Sequence, residues 1–108
     1  MDLATHPGAQ VLSPAAGVVT YAATLANRGV MVVSFPNGLR ATFEPVWPVA
    51  QVGRSVSSGE PIGIVEAGYA HCGTATCLHW GVLSGNRYLD PLLMVGGARP
   101  AVLMPLLR

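Results

Sequence analysis

Two side chains that could bind a metal or react lie two positions apart in the segment CLHWGV, residues 77–82: Cys77 and His79. The alternating apolar residues around them predict a strand, and residues two apart in a strand point to the same face. Thiolate and imidazole are both zinc ligands. The pair is therefore compatible with half of a metal site, with half of a disulfide, or with simple packing.

Turn residues divide the rest of the chain into short segments. PNG at 36–38, SSGEP at 57–61 and SGNR at 84–87 are typical turn sequences. The β-branched runs between turns predict strands over 18–21, 29–35, 39–43 and 62–66, besides the one that contains CLHWG. Strands spaced in this way predict an all-β sandwich or barrel, with Cys77 and His79 on one of its strands.

Composition excludes several classes of protein. The chain has 108 residues, of which 51% are hydrophobic and 10% charged, which predicts one folded domain and rules out disorder. So few charges also predict a piece of a larger protein or self-association. Six scattered arginines and a net charge of +1 argue against nucleic-acid binding. The absence of lysine excludes Schiff-base chemistry and biotinyl or lipoyl attachment.

The sequence pattern predicts neither a membrane span nor a signal peptide. No apolar run reaches the ~18 residues that a membrane helix needs. The first residues, MDLATHPGA, lack a basic segment followed by an apolar one, so no signal peptide is expected here. The abrupt start at Asp2 is typical of a fragment.

Four segments, in order, resemble the M23 (lysostaphin/LytM-like) metallopeptidases over residues 2–93. They are DLAT…GAQVLSPAAGVVTYA, NGLRATFEPV, VGRSVSSGEPIGIV and CLHWGVLSGNRYLDPL. The resemblance implies an antiparallel β-sandwich or barrel-sandwich hybrid with a groove across it. It also implies a single domain, 1–108, that is truncated at its N-terminus. The apolar residues 94–108 are expected to pack on the domain or on a partner.

The family hydrolyses peptide links in bacterial cell walls with a zinc ion, and the resemblance assigns its motifs to positions of this sequence. Asp2 and His79 take two of the three ligand positions, and the third would lie before Met1. Pro45 stands where Tyr-x-His carries a catalytic histidine, and Cys77 replaces the first histidine of His-x-His. Proline offers no side-chain hydrogen bond, so the ligand set is expected to be vestigial and no catalytic set to be intact.

Substitute residues are few. His71 lies in the loop before Cys77 and could supply a missing imidazole. Glu44 adjoins Pro45 and is assigned to the groove, but as a substitute ligand it is expected to face away, since neighbours in a strand point to opposite sides. Trp80 is assigned to the core or the groove wall.

The two cysteines have three interpretations. A Cys72–Cys77 disulfide is favoured because the family is extracytoplasmic, where disulfides persist. The loop that it would close is short, so it would fix the shape of the loop rather than add much stability. The alternatives are a Cys77 thiolate that joins Asp2 and His79 around zinc, and two free thiols packed in the core.

The resemblance and the lost residues together predict a non-catalytic domain outside the cytoplasm. It would bind peptidoglycan stem peptides or a cell-wall hydrolase, with no cofactor. The alternative is a zinc metalloendopeptidase that cleaves peptidoglycan cross-links. A carrier domain, which VGRSVSSGEPIGIVEA would also fit, is excluded by the absence of lysine.

Overall fold

The computed structural model describes residues 2–66 and 76–91, and strands make up most of this part of the chain. Within these residues no helix is long and apolar enough to cross a membrane. The strands are β1 Asp2–Thr5, β2 Gln10–Leu12, β3 Gly17–Leu25, β4 Arg28–Ser34, β5 Leu39–Glu44, β6 Val46–Pro48, β7 Ser55–Val56, β8 Pro61–Val65, β9 Thr76–Ser84 and β10 Arg87–Leu89.

These strands form two antiparallel sheets. The larger sheet has the order β1-β9-β5-β4-β3-β7, with β10 paired to the end of β9 beyond β1, and the smaller has the order β2-β8-β6. Among the residues that the structure describes, the short strand β1 is thus an edge strand that pairs with β9 only, through four residue pairs. The predicted all-β antiparallel fold is confirmed.

The hairpin of β4 and β5 shows how the local sequence gives this architecture. In β4 buried and half-buried residues alternate strictly, as expected for a strand with one face in the core. The predicted PNG turn is present, with Gly38 at a φ of 85°. Asn37 contributes through its side chain, whose Oδ1 accepts a hydrogen bond from the Leu39 N–H at 3.1 Å.

The hairpin of β3 and β4 was not predicted, because its turn contains neither glycine nor proline. Ala26 and Asn27 instead adopt φ angles of 50° and 68°. Positive φ at both central residues is the conformation that matches the twist of a two-residue hairpin. The strand predicted at 18–21 is therefore longer, and a two-residue turn joins it to β4, which is shifted by one residue from the predicted 29–35.

The predicted SSGEP turn is present and is held by a carboxylate. Glu60 accepts a hydrogen bond from the Ser57 N–H at 3.0 Å and one from the Arg54 guanidinium at 2.7 Å. The backbone hydrogen bond, with the added attraction of Arg54, lowers the pKa of Glu60. The turn orients β8 for its pairing with β2 and β6.

The core lies between the two sheets. The rings of Phe43 and Trp80 stack at its centre, 6.4 Å apart and 13° from parallel. Fully buried aliphatic residues surround them, including Val11, Val19, Met31, Val33, Val46, Ile62, Val65 and Leu78. Since Leu78, Trp80 and Val82 face this core, His79 and Gly81 lie on the opposite, outer face of the large sheet.

Candidate functional site

The strand register places three residues of interest in one row across the outer face of the large sheet. His79 in β9 is opposite Asp2 in β1 on one side and opposite Glu44 in β5 on the other. Residues directly opposite in an antiparallel pair share a face, with Cβ atoms about 5 Å apart. In the backbone register, His79 thus lies between Asp2 and Glu44.

Glu44 forms an ion pair with Arg28, a residue that the sequence did not predict as part of the site. The Arg28 Nε donates a hydrogen bond to the Glu44 Oε2 at 3.0 Å, and both side chains are half-buried. Glu44 faces away from its buried neighbour Pro45, as the alternation along a strand predicts. Phe43 and Pro45 are both buried, so Glu44 between them points outward, to the face that His79 shares.

Pro45 directly follows Glu44, the last residue of β5. It is buried, and its carbonyl accepts a hydrogen bond from the Glu66 N–H at 3.2 Å. Its side chain has no donor or acceptor, so the position where the family motif carries an imidazole offers no polar group to the row.

A cavity of about 340 Å³ adjoins His79 on the outer face. Its lining includes Gly81, Tyr88, Leu89 and Pro91. The Tyr88 ring lies over Gly81, where an added Cβ would meet its Cε1 at 3.2 Å, and the side chain is 70% exposed. Sequence reasoning missed Tyr88, although the SGNR turn could have placed it beside β9.

Trp80 also borders this cavity, but the structure places its side chain in the core. It is fully buried and stacked on Phe43. Of its two predicted placements, core and groove wall, the structure therefore shows the core. The other tryptophan, Trp47, is 61% exposed and lies in β6 of the smaller sheet.

A larger cavity, of about 500 Å³, lies at the opposite end of the large sheet. Gly17, Phe35 and Val56 are among the mainly apolar residues that line it. None of its lining residues has a charged or imidazole side chain, so the row around His79 is the better candidate for a functional site.

Cys77 shares the outer face of β9 with His79 but is buried, opposite Ala4 of β1. Its sulfur is not a free thiol. Its predicted partner, Cys72, and the predicted substitute ligand, His71, lie outside the described residues. The Cys72–Cys77 pairing therefore stays a prediction, as does a role for His71.

The donors of the row suit zinc by type, since carboxylate oxygen and imidazole nitrogen are both zinc ligands. Among residues 2–66 and 76–91, however, no three His, Cys, Asp or Glu side chains are gathered as a metal site. The Glu44 carboxylate is turned toward Arg28. The row thus has suitable donor types without an assembled site.

Comparisons with known proteins agree with this fold. The model of peptidase family M23 matches residues 1–91. Uncharacterized proteins of Mycobacterium tuberculosis and Mycobacterium bovis are 42% identical over 96 residues, which is 85% of this chain. The chain spans 39% of the length of these mycobacterial relatives.

Two solved structures show the same fold. LytU superposes with a TM-score of 0.80 at 22% identity, over 99% of this chain and 77% of its own. Lysostaphin superposes with a TM-score of 0.70 at 20% identity, over 88% of this chain and 41% of its own. The fold is therefore that of lysostaphin-type domains. With the match over residues 1–91, the chain belongs to peptidase family M23.

Proposed function

We propose that this domain is a non-catalytic member of its family that binds peptidoglycan stem peptides in the cavity beside His79. The observation that carries the proposal is the buried Pro45 at the position of a catalytic imidazole. Neither a proton transfer nor the stabilisation of an oxyanion can come from its side chain. Cys77 has no free thiol with which to take over either role.

The shape and the lining of the cavity support peptide binding. Apolar side chains of Tyr88, Leu89 and Pro91 form its walls, while His79 supplies a polar group at one side. A few polar groups among apolar walls are typical of sites that orient a small ligand. In keeping with the family's cell-wall substrates, we place the domain outside the cytoplasm.

Binding without cleavage is the expected result when the chain is mixed with purified peptidoglycan and with soluble stem peptides. The domain should sediment with the polymer, and chromatography should find no new peptide fragments. Tyr88→Ala should weaken stem-peptide binding about tenfold, because an exposed aromatic wall of the cavity is lost. Trp47→Ala, which changes an exposed ring on the smaller sheet, should leave binding unchanged.

Two outcomes would contradict the proposal. Failure of the unmodified chain to bind either ligand would favour a protein partner, such as a wall hydrolase. Chelator-sensitive cleavage would instead favour a zinc endopeptidase. The observation that favours this second candidate is the register of β1 and β9, which sets Asp2 directly opposite His79.

We further propose that Cys72 and Cys77 form a disulfide, which is consistent with the absence of a free thiol at Cys77. Thiol titration of the denatured, unreduced chain should detect essentially no reactive thiol. After reduction the same assay should detect the sequence's two cysteines. Two reactive thiols before reduction would reject the disulfide.

A further inference from the structure

We propose that the open edge of β3, residues 21–25, pairs with the same edge of a second copy of this chain. One side of β3 is paired with β4 along the strand. On its other side, among the residues that the structure describes, β7 and the loop before it bond to residues 17–19, and no strand pairs with residues 21–25. This surface is separate from the cavity beside His79, and the inference does not depend on peptide binding.

The two-residue turn after β3 fixes which backbone groups face the open side. Leu25 and Arg28 flank the turn, so they form the hydrogen-bonded pair that closes it. Hydrogen-bonded and non-hydrogen-bonded pairs alternate along an antiparallel ladder. The N–H and C=O groups of Ala22 and Thr24 therefore point away from β4. They place two donors and two acceptors on the open edge, where a further strand can pair with them.

The open edge lacks the features by which proteins usually prevent the pairing of edge strands. Residues 17–27 contain no charged residue and no proline, and the irregularity in the pairing of β3 lies before residue 21. By contrast, β7 has only two residues, and β6 has three, of which one is Pro48. Short strands, charges and proline are the usual protection. The edge at 21–25 is therefore well suited to strand addition.

This edge is complementary to itself in one antiparallel register. A two-fold axis between the two copies of Ala23 sets Ala22 of each copy opposite Thr24 of the other, so the outward backbone groups meet in four hydrogen bonds. The same register sets Tyr21 opposite Leu25 of the second copy, twice. These side chains are 36% and 50% exposed, and aromatic–aliphatic pairs across strands are stabilising. Because both copies use the same residues, the contact closes as a dimer.

The composition of the chain also favours a second copy as the occupant. With 51% hydrophobic and 10% charged residues, the chain carries few charges to keep copies apart. The contact is small, however, since it consists of five residues from each copy. Interfaces of this size are typical of weak, reversible association. The dimer should therefore be in rapid exchange with the monomer.

Sedimentation equilibrium of the unmodified chain tests the dimer. Between about 10 μM and about 1 mM, the mean mass should rise from that of one chain toward that of two. Ala23→Lys and Ala23→Glu should each weaken association at least about tenfold, because two like charges meet at the axis. An equimolar mixture of these two variants should associate again, since lysine then faces glutamate.

Trp47→Lys is the matched control. It adds the same charge as Ala23→Lys and removes a side chain that is 61% exposed in β6 of the smaller sheet. Association should be unchanged in this variant, which separates pairing at β3 from a general effect of surface charge or exposed apolar area. Thermal unfolding of each variant checks that it is folded.

Amide hydrogen exchange gives a second, residue-specific measurement. The N–H groups of Ala22 and Thr24 should exchange more slowly as the concentration of the chain rises, because they become hydrogen-bonded across the dimer. The N–H of Ala23 points toward β4, so it should change much less and serves as the internal reference.

Four results would overturn the proposal. The unmodified chain could stay monomeric at every concentration, or the mixture of Ala23→Lys and Ala23→Glu could fail to associate. Loss of association in Trp47→Lys would place the interface on the smaller sheet. Slow exchange at Ala22 and Thr24 that is independent of concentration would show that another segment of the same chain covers the edge. None of these measurements contains a peptide, so their failure is distinguishable from failure of the proposed peptide binding.

Discussion

Replacing Trp80 with alanine should lower the free energy of unfolding by about 3–5 kcal/mol. The indole is fully buried and stacked on Phe43 between the two sheets. Its removal forfeits the transfer free energy of a large side chain and leaves a cavity that strands pinned in two sheets cannot close. Because small domains are only marginally stable, this loss would remove a large part of the free energy of unfolding.

Trp47→Ala provides the matched control, since the sequence has only these two tryptophans. Trp47 is 61% exposed, so its loss should change the free energy of unfolding by no more than about 0.5 kcal/mol. Urea unfolding followed by circular dichroism measures both variants. Equal losses of stability would show that the centre of the core is not at Trp80.

Gly29→Ala should cost about 3 kcal/mol, because an added methyl group would strike the backbone of the other sheet. Its Cβ would overlap the Val46 carbonyl oxygen, and it would come within 3.0 Å of the Glu66 Oε1. That same oxygen accepts the hydrogen bond of the Gly29 N–H at 2.6 Å. Neither β4 nor β6 can move aside without disturbing its own pairing.

Gly81→Ala is the matched comparison, because its added methyl group would meet side chains rather than backbone. Its Cβ would meet only side chains, the Thr42 Oγ1 at 2.9 Å and the Tyr88 ring. The exposed Tyr88 ring can rotate away, so the expected cost is about 1 kcal/mol. Urea unfolding of the two variants should rank Gly29→Ala as much the more destabilising, and the reverse order would contradict this account of the packing between β4 and β6.

Local pattern was sufficient to predict much of the fold. Alternating apolar residues and glycine-containing turns located β4, β5, β8 and β9, since these signals act within a few residues. The turn at Ala26 and Asn27 was missed because neither residue usually signals positive φ. The short strands β2, β6 and β7 have two or three residues each, too few to show a period.

The site was harder to predict because it depends on pairing between distant strands. Asp2 and His79 were chosen from motifs, but their direct opposition is a matter of register between the first and ninth strands. The orientation of Glu44 follows from the burial of Phe43 and Pro45, which no neighbouring residue reveals. Arg28 reaches Glu44 from the start of β4, a contact between residues 16 apart in sequence.

Because β1 lies at the edge of the large sheet, ligand binding to the row around His79 should affect how readily β1 separates from β9. Edge strands with few pairs separate from a sheet more readily than central ones. A ligand that contacts Asp2 and His79 together would have to dissociate before β1 could separate from β9. Ligand binding to this row is therefore expected to slow amide hydrogen exchange in residues 3–5 more than elsewhere, so that the N-terminal strand reports occupancy of the site.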